Sequence, residues 1–84
     1  MIKSVNEYES DMAQIILHLR DGKDLAELEN AIGEENYGDA MDECIHQGFV
    51  KGCHTTVLSN GEIMVQTSIP RPSYFGLKFL ESVR

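Results

Sequence analysis

Tryptophan is absent from this chain, cysteine occurs only twice, and seven lysines and arginines stand against fourteen aspartates and glutamates. Two cysteines cannot build a disulfide framework. Cys44 and Cys53 read instead as small core or near-surface thiols of a reducing compartment, with a single bridge between neighbouring elements as the alternative. The shortage of positive charge works against nucleic-acid binding, because affinity for a phosphate backbone comes largely from Lys and Arg. It equally disfavours anionic membranes. No apolar run approaches transmembrane length. The segment Met1–Glu9 is polar and lacks the apolar stretch of a signal peptide, so none is expected and a cytoplasmic location is the simplest reading. Repeats, low-complexity tracts and linkers are also missing.

What remains fits one domain over residues 1–84, with 42% hydrophobic residues and a net charge of −7. A chain of this size must rely on one core and has no room for a large enclosed substrate cavity. The acid is concentrated. Asp21, Asp24, Glu27, Glu29, Glu34, Glu35, Asp39, Asp42 and Glu43 are interrupted only by Lys23. Such a run reads as a solvated face that keeps a small protein soluble, or as a patch for a basic partner.

Periodicity predicts three helices first. Val5, Tyr8, Met12, Ile15, Ile16 and Leu19 recur at three- and four-residue steps, giving a helix from about Val5 to Arg20. Ser4 with Glu7 forms a capping-box pattern, and Gly22 closes the segment. A short second helix spans about Leu25 to Ala31, capped by Asp24 and ended by Gly33. The third runs from Glu35 or Asn36 to Gln47, with Tyr37, Ala40, Met41, Cys44 and Ile45 on one face. Gly38 weakens it unless packing needs the space. Gly48 ends it, with Phe49 as the hydrophobic anchor.

A β-hairpin follows. One strand covers Phe49–Leu58 and the other Ile63–Thr67, around Ser59-Asn60-Gly61-Glu62. Asn60-Gly61 predicts a two-residue type I′ turn and hence a small projecting ribbon. A last helix is expected from Pro72 or Ser73, since Pro is tolerated in a first helical turn. Tyr74, Leu77, Leu80 and Val83 share one face of it, Phe75 and Phe79 another. Gly76 inside it suggests close approach to another backbone.

The order helix–helix–helix–strand–strand–helix describes an α+β winged helix with a small two-stranded wing. Two stretches carry a more specific likeness. Met41-Asp42-Glu43-Cys44-Ile45-His46-Gln47-Gly48-Phe49-Val50-Lys51-Gly52 resembles the junction from helix to first hairpin strand in the small winged-helix proteins of the YjcQ-like group, common in prophages and mobile elements. Ser73-Tyr74-Phe75-Gly76-Leu77-Lys78-Phe79-Leu80-Glu81 is similar to the start of their last helix, with Ser73 where Thr would cap and Pro72 in place of Leu. The resemblance implies a winged helix without an assigned biochemical role. By analogy of fold it implies DNA reading by the third helix.

The residues themselves argue for other chemistry. The polar face of the third helix offers Glu35, Asn36, Asp39, Asp42, Glu43, His46 and Gln47, with no Lys or Arg. Only Asn36 and Gln47 are base-reading types, and Lys51 and Arg71 are thin support from the wing. A zinc site fails on geometry. Cys44 and His46 diverge on a helix, and Cys53 and His54 diverge on a strand, leaving too few ligands. No nucleophile–base spacing surrounds any Ser or His; His18 is a surface or boundary side chain, and Glu34-Glu35 and Asp42-Glu43 splay as solvated pairs.

The expectation is therefore a non-enzymatic module without metal or cofactor, acting by protein–protein contact. Glu35, Asn36, Asp39, Asp42, Glu43 and His46 form its candidate acidic face. Tyr8, Phe75 and Phe79, with Ile2 and Val5, form a candidate surface of the first and last helices for a homodimer or a protein partner. A winged-helix DNA-binding regulator is the alternative, and an acidic nucleic-acid mimic or anti-repressor the third reading.

Overall fold

Ser4 opens the first helix. In the computed structural model, which describes residues 4–83, its side chain accepts a hydrogen bond from the Glu7 amide at 3.2 Å. The chain then forms α1 (Val5–Asp21), α2 (Leu25–Ile32), α3 (Glu34–His46), β1 (Val50–Val57), β2 (Ile63–Pro72) and α4 (Tyr74–Ser82). This is an α+β architecture with one two-stranded antiparallel sheet among the described residues. Asp24 caps α2 by accepting from the Ala26 amide at 2.9 Å. At the end of α3, Phe49 N–H donates to the Cys44 carbonyl and Gly48 N–H to that of Ile45, the paired bonds of a Schellman motif.

The hairpin departs from the expected turn. Gly61 alone takes a positive φ, +87°, while Asn60 does not, so no type I′ turn forms. The Gly61 amide donates to the Leu58 carbonyl and the Leu58 amide to that of Glu62, closing a three-residue loop with a left-handed glycine. Asn60 acts through its side chain instead: Oδ1 accepts from the Glu62 amide at 3.0 Å.

The return strand also runs past Thr67 to Pro72. Pro70 and Pro72 cannot donate to a ladder, which is why their sequence reads as non-strand. A bulge accommodates them. Lys51 pairs with Arg71 and Cys53 with Thr67, so Gly52 alone faces Ser68, Ile69 and Pro70. Gly52 (φ +73°) and Ile69 (φ +50°) both adopt left-handed conformations, and a side chain at Gly52 would strike the Ser68 carbonyl. Pro72 accordingly ends a strand rather than starting a helix. Ser73 is the N-cap of α4, accepting from the Gly76 amide at 3.0 Å.

α3 sits at the centre, packed by α1, α2 and both strands. Met12, Ile15 and Ile16 of α1 close on Leu28 of α2, on Tyr37, Ala40, Met41 and Cys44 of α3, on Val50 and Cys53 of β1, and on Leu80 of α4. Gly38 admits Ile63 of the hairpin against α3, with a built Cβ 3.3 Å from the Ile63 Cβ. The inner face of α4 is set by Gly76, which lies directly on the Phe49 carbonyl, together with Leu80. That orientation leaves Tyr74 exposed while Leu77 and Leu80, grouped with it by spacing, are half-buried and buried, and it stacks Phe79 on Phe49 at 4.7 Å between ring centroids.

Candidate interaction surface

The spacing of Glu35, Asp39, Asp42 and His46 places them along one strip of α3, with Glu43 beside it. Burial of the opposite face, from Tyr37 through Cys44, leaves that strip at the surface. Glu35 and His46 are exposed; Asp39, Asp42 and Glu43 are half-buried at its flanks. Asn36 leaves the group, because its Nδ2 donates to the Ile32 carbonyl at 2.8 Å and ties α3 to α2.

Neighbouring elements fix the strip on both sides. Thr55 Oγ1 of β1 donates to Asp42 Oδ1 at 2.6 Å. The Tyr8 hydroxyl of α1 donates to the Asp39 carbonyl at 3.1 Å. His46 Nδ1 lies 2.8 Å from the Asp42 carbonyl and 3.6 Å from Asp42 Oδ2. That carbonyl, then the Asp42 and Glu43 carboxylates, raise the His46 pKa above its ordinary value. The Tyr8 phenol is raised by burial first and next by Asp39, Glu43 and Asp42. The negative potential of α3 therefore reaches α1.

There the acidic strip meets an open groove of about 480 Å³. Val5, Tyr8, Met12, Phe49 and Phe79 form its apolar floor and wall, with Glu9, Glu43 and Gln47 as polar lining. Of the three aromatic residues expected to share a surface, Tyr8 and Phe79 come together here. Phe79 is half-buried by its stack on Phe49, whereas Phe75 lies outside the groove lining, 62% exposed and edge-on to Tyr74 at 5.8 Å. Ile2 lies outside the described residues. Sequence reading missed Phe49 and Thr55 as parts of the site. Only the Gly48-Phe49 signal hinted at the first, and nothing local marks the second, which depends on the hairpin register.

A second concavity, of about 440 Å³, lies where the hairpin loop approaches α3 and is lined by Glu34, Glu35, Asp39 and Glu62 among others. Among the described residues no group of three or more His, Cys, Asp or Glu side chains could hold a metal ion. Both thiols are free and buried; burial pushes Cys44 up to about 12 and Cys53 in the same direction, so neither offers a ready thiolate. No helix among the described residues is long and apolar enough to cross a membrane. Comparison of the chain with protein-family models, with curated proteins and with solved structures finds no match.

Proposed function

We propose that this chain is a small non-enzymatic interaction module of winged-helix type, similar to the prophage-associated YjcQ-like group, which docks a basic protein partner. The carrying observation is that two surfaces meet: Glu43, beside the Glu35–Asp39–Asp42–His46 strip, lines the Val5–Tyr8–Met12–Phe49–Phe79 groove, and Tyr8 of that groove donates to the Asp39 carbonyl. An apolar floor beside carboxylates suits a helix or loop that inserts aliphatic side chains and carries Lys or Arg alongside. The winged-helix assignment rests on the element order and on a hairpin that leaves directly from the end of α3. No Lys or Arg stands on the α3 strip, which counts against docking that helix into a DNA groove.

Lys51 and Arg71, direct partners across the hairpin, favour DNA binding as a second reading, with contacts from the hairpin rather than α3. Fluorescence anisotropy separates the two. A labelled amphipathic Lys/Leu helical peptide should bind, and Asp39→Lys with Glu43→Lys should weaken it about tenfold or more. A DNA duplex at low salt should give no signal. DNA binding that falls steeply with salt, together with no peptide binding, would replace the first reading by the second.

A further inference from the structure

The charge of this chain is segregated. All but Glu62 and Glu81 of its fourteen acidic residues precede Phe49, while Lys51, Arg71, Lys78 and Arg84 are among its seven basic ones. Three of them fall on β1, on β2 and on α4, which follows β2 directly. Lys51 and Arg71 are register partners, so their side chains leave the same face of the sheet, away from buried Val50. Like charges directly opposite each other in a ladder are destabilising. Neither they nor Lys78 has a carboxylate partner among the described residues. Arg71 Nη1 donates to the Ile69 carbonyl at 3.0 Å, anchoring the guanidinium with most of its donors unused.

Apolar side chains accompany these cations. Ile69, held at φ +50° by the bulge, is 80% exposed. Tyr74 and Phe75 are 67% and 62% exposed, and the Lys78 ammonium sits 5.6 Å from the Tyr74 ring centroid. A β-branched residue forced into the left-handed region and left in solvent is a costly arrangement, and such sites cluster where proteins bind. Three cations without carboxylate partners among the described residues, close in the chain to three exposed apolar side chains, suit an anionic partner with apolar ground beside its charge.

The same molecule presents that chemistry on α3 and its groove. We propose that the Lys51–Arg71–Lys78 face, with Ile69, Tyr74 and Phe75, docks on the acidic strip of a second copy of this chain, so that copies associate head to tail. This rests on the reading of the strip as a docking surface and gives it a partner: the chain itself. The contact is heterologous, joining different patches, and extends into rings or short filaments rather than stopping at a two-fold dimer. Net charge of −7 repels copies at a distance, but screening over roughly 8 Å at physiological salt leaves contact pairs effective.

Sedimentation velocity tests this with full-length protein at about 0.15 M salt, over micromolar to roughly millimolar concentration. The wild type should gain mass with concentration. Arg71→Glu with Lys78→Glu should remain monomeric, as should Asp39→Lys with Glu43→Lys. Mixing the two variants should restore association, because each supplies the face the other has lost. Circular dichroism melts check that both are folded. A wild type monomeric throughout, or a mixture that stays monomeric, overturns the proposal. So does binding of a single-stranded oligonucleotide to the Lys51–Arg71 face of a monomeric wild type. If self-association fails while the basic peptide still binds, only this proposal falls. If the peptide also fails to bind, the reading of the strip falls with it.

Discussion

Replacing Gly76 by alanine should destabilise the protein although it improves the helix. Alanine is favoured over glycine inside a helix by about 1 kcal/mol. Here the added methyl meets the Phe49 carbonyl, and a built Cβ lies only 2.9 Å from the Phe49 carbonyl carbon. That carbonyl cannot swing aside cheaply. It accepts from the Ser73 amide at 2.9 Å, and the Phe49 amide is tied to Cys44 at 2.8 Å. α4 must move instead, which loosens the Phe49–Phe79 stack and the seat of Leu80. Overpacking of this kind costs about 1–3 kcal/mol, and weakening one hydrogen bond adds roughly 1 kcal/mol. Set against the helical gain, the net loss is about 2 kcal/mol, or roughly 8–16 °C in Tm for a domain of this size. Gly38→Ala is the control. Its Cβ would meet the Ile63 side chain at 3.3 Å, near the hairpin loop where the neighbour can shift, so the change should be within about 0.5 kcal/mol of neutral. Urea melts of both variants decide the matter. A Gly76→Ala protein as stable as the wild type would refute the close approach of α4 to Phe49.

Ser73→Ala should cost about 2–3 kcal/mol in urea melts, because it removes the cap of α4 and strands the Gly48 carbonyl to which Ser73 Oγ donates. A loss below about 0.5 kcal/mol would mean that this junction is not buried as described. Alkaline pH should unfold the protein. Cys44 and Tyr37 rise by burial from ordinary values of 9.0 and 10.0 to about 12 each, so above pH 9 the unfolded chain releases protons that the folded chain keeps. Stability is then intact below that pH and falls up to pH 12, by at most about 1.4 kcal/mol per unit from Cys44 above pH 9 and by a smaller amount from Tyr37 above pH 10; a flat profile would contradict their burial. Thr55→Val removes the bond that holds Asp42 to β1 and should cost about 1 kcal/mol in thermal melts, whereas an unchanged Tm would show that Asp42 is not so held.

Much of the fold is legible in local patterns. The three-and-four spacing of Met12, Ile15 and Ile16, the caps at Ser4 and Asp24, and the Gly48-Phe49 ending are local physics, and all occupy their expected roles. Gly76 was readable as a close approach, though not to which backbone. The hairpin loop was misread because Asn-Gly serves two loop lengths, and only the cross-strand register selects between them. The strand through Pro70 and Pro72 was hidden because a bulge opposite Gly52 is a property of two segments at once. The acidic strip of α3 follows from helical spacing. The groove beside it does not, since Phe79 reaches Phe49 only after Gly76 has set the rotation of α4.

The docking role of α3 and its groove is tested most directly by backbone amide NMR during titration with the basic amphipathic peptide. Shift changes should concentrate at Val5, Tyr8, Met12, Asp39, Glu43 and Phe49, with the hairpin tip around Asn60 unmoved. Changes confined to Lys51, His54 and Arg71, or none at any site, would contradict it.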